Sequence, residues 1–271
     1  MGRTLPDGDI EAVIARACRQ RWSAVLRMRK VISVFGVAVA LGSIALGLVY
    51  LMTPRWGAKV LAWTSPGVTY FVRTGEPRVA LTIDDSPDVD ETPAILDVLR
   101  ENGSRATFFI IGEKVAGNEA LLDRMRTEGH ELANHTYRGR MSLPLTDEEL
   151  AEELAATHRL LARYGDVRWF RPGSGFYSPG LLRVAKSSGY QTALADVYPG
   201  DARLAWPAFH AWYIVRNARP GSIIVLHDGK GRGRRAAETL GRVLPELKRR
   251  GLSAVTLSEM CSAPSGGPGG R

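Results

Sequence analysis

The chain of 271 residues is long enough for one large α/β domain or two small ones, and 45% hydrophobic residues supply a core of ordinary size. Two cysteines exclude a disulfide-stapled scaffold. The net charge of +8 is unevenly spread, since residues 1–30 carry seven basic side chains, Arg3, Arg16, Arg19, Arg21, Arg27, Arg29 and Lys30, against three acidic ones.

That basic arm runs into "VISVFGVAVALGSIALGLVYLM", residues 31–52, which holds no charge. At about 1.5 Å per residue the run reaches roughly 33 Å, enough to cross a hydrocarbon core of about 30 Å. A cleaved signal peptide has an apolar region of about 7–15 residues that ends at small residues. Here the run is longer and "TPRWGAKV" has no such end. The reading is an uncleaved single-pass anchor. Arg27, Arg29 and Lys30 hug its first end, so the N-terminus is expected in the cytoplasm and everything from about residue 54 outside. Nucleic acid is then not an expected partner, despite the basic balance. Cys18 and Cys261 fall on opposite sides of the membrane and cannot pair.

Residues 53–76 read as a linker, and a regular alternation begins at residue 77. "RVALTIDD" (78–85) predicts a strand and "DETPAILDVLRENG" a helix stopped by Gly103. "ATFFIIG" (106–112) predicts a buried strand, "NEALLDRMRTEG" a helix ending at Gly129, and "HELANHT" a third strand. "LTDEELAEELAATHRLLARYG" opens with a capping box, Thr146 with Glu149. Further strands are predicted at "VRWFRP", "YQTALADV", "SIIVLHD" and "LSAVTLS", with helices at about 178–188, 207–218 and 234–250. Residues 261–271 read as a disordered tail. About seven strands alternating with helices imply a parallel sheet covered by helices. An open doubly wound sheet and a (β/α) barrel both fit. "DDSPDVDETP" after the first strand has no Gly-rich phosphate loop, which weakens the nucleotide-binding version.

Polar residues end the strands: Asp84 and Asp85, His135, Arg171, Asp196, then His227 with Asp228. In a parallel barrel these positions share one rim, where active sites of that architecture lie. One aspartate alone reads as a cap or turn former and one histidine as structural. Five strands making the same move point instead to a site. Aspartate oxygen and histidine nitrogen suit a divalent ion such as zinc or cobalt. "DGKGRGRR" (228–235), with Arg138 and Arg140, would border the same mouth, either as solvated loops or as contacts for an anionic glycan.

"LTIDDSPD", "GHELANHT", "FRPGSGFYSP" and "GSIIVLHDG", in this order, resemble the polysaccharide deacetylases, the NodB-homology domain of carbohydrate esterase family 4, over roughly residues 77–259. The resemblance implies a distorted (β/α) barrel and metal-dependent removal of acetyl groups from N-acetylated sugars of an envelope or extracellular polysaccharide. By position, Asp84 would be the general base, Arg171 its orienting partner and His227 the general acid. Asp85 and His135 would be metal ligands, and Asp201 is the acid kept from the family's Asp-x-x-Asp-Trp. Ser174 falls where a backbone N–H holds the oxyanion, and Tyr177, Arg138 and Arg140 are expected substrate contacts. The family's second ligand histidine is missing. Gly139 stands four residues after His135, and no other histidine is placed to replace it. The metal is therefore expected to be weakly held, and the alternative is a degenerate domain that binds glycan without hydrolysing it.

Overall fold

The computed structural model describes residue 22, residues 28–30 and 32–43, and residues 54–262. The chain divides into Met1–Met52 and Thr53–Arg271. In the first unit residues 32–43 are helical with exposed side chains, whereas residues 31 and 44–52 of the expected anchor lie outside the described residues. Among the described residues no helix is long and apolar enough to cross a membrane.

The second unit is built on an eight-stranded sheet. Its strands are β1 (Val68–Thr69), β2 (Arg78–Ser86), β3 (Thr107–Ile110), β4 (Glu131–Asn134), β5 (Trp169–Phe170), β6 (Gln191–Ala193), β7 (Ile223–His227) and β8 (Ser253–Val255). The order is β1-β6-β5-β4-β3-β2-β7, every pairing is parallel, and β8 pairs with the start of β2. An antiparallel bridge from Phe71, just past β1, to Ser222 and a parallel bridge from Val197, past β6, to Ile224 of β7 bring the two ends of the sheet together. The result is a distorted barrel, closed on that side by isolated bridges rather than by a full ladder.

β2 is the axis of this arrangement. Val79, Ala80, Leu81 and Ile83 are buried, as a central parallel strand covered on both faces requires. Inside the barrel, Ala80, Ala133 and Ala193 leave room for the large rings of Phe109 and Trp169. Leu257 and Met260, from a terminal helix Leu257–Ser262, pack on the same cluster. Trp169 Nε1 donates to Ser258 Oγ (3.0 Å), which ties that helix to the barrel. The polar strand ends lie at the other end, where the chain leaves β2, β4, β5 and β7.

The seven expected strands correspond to β2–β8, and β1 is additional. The stretch 53–76, expected as a linker, instead holds a helix, Pro54–Thr64, and the edge strand β1, both within the compact unit. The reason is local burial. Ala58, Val68 and Tyr70 form a cluster with Tyr177, Leu182 and Leu194, and Arg55 donates from both terminal nitrogens to the Pro220 carbonyl (3.1 Å each). Only a short apolar signal marks this segment, too brief to read against the spacing of the strands that follow. The capping box of Asp147–Leu161 is formed as expected, with Thr146 Oγ1 accepting from the Glu149 N–H. Cys261 is a free, exposed thiol, and residues 263–271 of the expected tail lie outside the described residues.

Candidate active site

Arg171 leaves the end of β5 and turns into the barrel. Its Nη1 donates to Asp84 Oδ1 (2.6 Å) and to Thr82 Oγ1 (2.8 Å), its Nε to the Ala193 carbonyl and its Nη2 to the Leu194 carbonyl (3.0 Å each). The guanidinium lies 4.1 Å above the Phe109 ring. Burial lowers its pKa, against the pull of the Asp84 charge. A guanidinium forked this way has no freedom left, so the carboxylate it holds is fixed in one orientation.

His227 is the register partner of Asp84 on the neighbouring strand. Its Nδ1 sits 3.1 Å from Asp201 Oδ1, and its backbone N–H donates to Asp201 Oδ2 (2.7 Å). Asp201 therefore grips His227 at ring and backbone together. Burial alone would lower the histidine's pKa. The Asp201 hydrogen bond, with the charges of Asp201, Asp84 and Asp85, overrules it and raises the pKa above the ordinary value.

Asp84 and Asp85 reach one rim although side chains alternate along a strand. The β2–β3 register shifts between Ile83 and Ser86, and Asp85 adopts a left-handed φ of 67°. A bulge re-aims a side chain in this way. Thr136 and Ser174 are also left-handed, at φ 65° and 66°. Strained non-glycine residues cluster where the surrounding fold over-determines them, often at active sites. Asp85 Oδ1 faces His135 Nε2 at 3.3 Å, while His135 Nδ1 is 2.8 Å from the Arg171 carbonyl, so Nδ1 carries the proton. Burial pushes Asp85 upward, but the hydrogen bond and charge of His135, with His227 and Arg232, hold it well below the usual carboxylate range. The second Asp85 oxygen is taken by Arg232 Nη1 at 2.9 Å. Lys114 Nζ donates to the Asp85 carbonyl (2.6 Å).

A family model described as polysaccharide deacetylase matches residues 71–193. A peptidoglycan-N-acetylglucosamine deacetylase of Bacillus cereus is 35% identical over 196 residues, which span 71% of this chain and 92% of that protein. The chain belongs to the polysaccharide deacetylase family. Membership makes it a carbon–nitrogen hydrolase. Among solved structures it is similar to a carbohydrate esterase family 4 pseudoenzyme from Bacillus anthracis (25% identity, TM-score 0.66, 72% of this chain and 69% of that one). It is also similar to a family 4 acetyl xylan esterase from Clostridium thermocellum in complex with a cobalt ion (29% identity, TM-score 0.64, 68% and 89%).

This deacetylase departs from the expected metal centre. A catalytic zinc ion takes three protein ligands and an open position. Asp85 and His135 converge, but the described residues contain no group of three metal-binding side chains. Gly139 shows why the third is missing. Its φ is +60°, and a Cβ there would lie 2.3 Å from Ile111 Cδ1 and 2.8 Å from Cγ1. Ile111 is itself buried, so a side chain at 139 needs both a strained backbone and a displaced neighbour. Gly173, in the altered Arg-Pro-Gly-Ser-Gly run, is similarly confined, since a Cβ would meet the Arg140 carbonyl oxygen at 2.1 Å. With Arg232 on the free oxygen of Asp85, these residues do not fit a three-ligand zinc or cobalt site.

The remaining predicted residues divide. Ser174 is exposed on the loop after β5, three residues past Arg171, with a left-handed backbone (φ 66°). Tyr177, expected to touch substrate, is partly buried, and its hydroxyl contacts Tyr70 Oη (2.5 Å) and donates to Ser65 Oγ (2.8 Å). Arg138 and Arg140, expected as contacts for an anionic glycan, both turn toward Glu153 Oε1, at 3.9 and 3.1 Å. Asp196 is held against the start of β7 by the Ile223 N–H (2.8 Å) and Ser222 Oγ (3.1 Å), away from the rim. Asp228 accepts from Ser86, Thr92 and its neighbour Gly229, a structural set.

Sequence reading missed Glu153 and Arg232. Glu153 is buried, accepts from the Tyr137 and Arg138 N–H groups (3.2 Å each), and so pins the turn after His135. Its signal was an acid among Leu150, Leu154 and Thr157 on the buried face of one helix. Arg232 was hidden among the basic residues of 228–235.

Proposed function

We propose that the protein removes acetyl groups from the N-acetylated sugars of a cell-envelope polysaccharide. The observation that carries this reading is the pair of braced groups on adjacent strands, Asp84 held by Arg171 and His227 held by Asp201. An acid and a base side by side suit amide hydrolysis. Water attacks the acetyl carbon as Asp84 takes its proton, and the tetrahedral oxyanion is met by the Ser174 backbone N–H, the Gly173 and Gly175 N–H groups being taken by Ser142 Oγ and the Pro172 carbonyl. The C–N bond then breaks as His227 gives its proton to the departing nitrogen, leaving acetate and a free amino sugar. Each histidine–carboxylate or arginine–carboxylate contact does a positioning job, and neither Asp201 nor Arg171 needs to exchange a proton.

The deacetylase relatives named for peptidoglycan support an envelope glycan as substrate. The basic arm and the charge-free run 31–52 support a single-pass anchor with the catalytic unit outside. Arg138 and Arg140 lie beside the single carboxylate of Glu153 with 60% and 43% of their side-chain surface exposed, so an anionic glycan stays within this reading. The closed position at Gly139 favours one rival, a domain that binds glycan and leaves it intact. Acetate release from N-acetylglucosamine oligomers and peptidoglycan fragments separates the two. The expected result is release that falls about 10²–10⁴-fold in Asp84→Asn and in His227→Gln. Binding of the same oligomers with no release above the Asp84→Asn level would establish the rival.

A further inference from the structure

Asp85 carries the point on which this chain departs from its family, and Arg232 stands at that point. The guanidinium is not a stray surface charge. Its Nη1 is 2.9 Å from Asp85 Oδ2, its Nε donates to the Gly229 carbonyl at 2.9 Å, and its side chain is 14% exposed. Gly229 and Gly231, with φ of 67° and 76°, shape the loop that delivers it from the end of β7 to the opening of the helix Arg232–Arg249. Two of the five N–H donors are thus fixed by protein oxygens. The opposite oxygen of Asp85 faces His135.

We infer that Arg232 is a built-in cation that replaces the divalent metal at Asp85, so that the Asp85–His135 pair takes up no zinc or cobalt. Three observations converge on it. A guanidinium already neutralises the carboxylate that the family's motif assigns to the metal. The position of the missing histidine is closed by Ile111 and by the left-handed backbone of Gly139. Arg232 and Gly139 belong to separate segments, after β7 and after β4, so a relaxed ligand at one would not by itself recruit a cation at the other. Arginine suits the task because its charge is permanent and its planar fork grips a carboxylate. Resting on the proposed deacetylation, the bond changes are those given above, and Arg232 adds only fixed positive charge at Asp85. It is a positioning and electrostatic residue, with no proton or ligand to exchange.

The test uses the full-length chain in detergent, with zinc chloride alone as the probe, followed by equilibrium dialysis and metal analysis. Wild type and Arg232→Lys are expected to retain no stoichiometric zinc. Arg232→Met frees Asp85 and is expected to bind zinc about tenfold or more tightly than wild type, an effect of the size that outer partners have on metal affinity. Adding His135→Ala to Arg232→Met should abolish that gain, which separates it from zinc held elsewhere on the surface. Acetate release by wild type should resist chelator, fall in Arg232→Met and return in part in Arg232→Lys. One equivalent of zinc on the wild type, lost in His135→Ala, overturns the proposal. So does an Arg232→Met protein, folded by circular dichroism, that binds zinc no better than wild type. Should no variant release acetate, the deacetylation reading fails by itself, and the zinc measurements still decide the role of Arg232.

Discussion

Asp201 makes the clearest prediction at the scale of a single residue. His227 has its pKa raised by Asp201 in spite of burial, and in the proposed role of general acid it would work only while protonated. Activity that depends on it is present below the folded pKa and disappears as pH rises through that value. Asp201→Asn removes the raising charge, so the alkaline limb of the kcat/KM profile is expected to move to lower pH, read directly from rates across a buffer series. An unmoved limb would mean that another group sets it. Gly139 offers the second test. Restoring the family's histidine by Gly139→His forces a β-carbon onto Ile111 in a left-handed backbone, and either effect typically costs about 1–3 kcal/mol. A lower melting temperature is expected, partly recovered when Ile111→Ala is added. A fully stable Gly139→His protein would show that the turn has room that its geometry denies.

At the scale of elements, the helix Asp147–Leu161 acts on the site without touching it. Glu153 on its buried face holds two backbone N–H groups of the turn after His135 and also takes Arg140 Nε. Replacing it by leucine strands those donors, and a buried unsatisfied group costs roughly 1–3 kcal/mol each. Urea unfolding of Glu153→Leu is expected to show a loss of that order, and Glu153→Gln, which keeps an acceptor, a smaller one. Equal losses in both would locate the effect in the charge rather than in the hydrogen bonds. The bulge at the end of β2 is a second device of this kind. Without the register shift between Ile83 and Ser86, adjacent aspartates would point to opposite faces, and the rim would lose one of them.

At the scale of the whole molecule, the boundary of the folded unit lies earlier than the repeating pattern suggests. Tyr70, Val68 and Ala58 form a buried cluster with residues of the later chain, and Arg55 reaches Pro220. A chain beginning at residue 77 is therefore expected to aggregate or melt at a much lower temperature than one beginning at residue 54. Thermal unfolding of the two settles it, and equal stability would return 53–76 to the status of a linker. The same cluster explains why Tyr177 is partly buried.

Alternation of apolar runs with amphipathic helices was enough to read a parallel sheet covered by helices and nearly every element of it, because burial on two faces leaves a continuous signature in a strand; the barrel rather than an open sheet came from the resemblance. The gathering of Asp84, Asp85, His135, Arg171 and His227 was legible too, since strand ends at one rim gather by topology alone, whereas their roles in acid–base chemistry came only from the resemblance. Partners across space were not. Arg171 could be paired with Asp84 only by resemblance, and nothing local distinguishes Arg232 from the arginines beside it or Glu153 from the acids of its helix. Which way Arg138, Arg140 and Tyr177 turn depends on carboxylates and hydroxyls that lie 13 to more than 100 residues away in the chain. The absence of a histidine at position 139 was visible in the letters. That the position has no room for one, and that a guanidinium already sits on the carboxylate concerned, are consequences of packing, which only the assembled barrel decides.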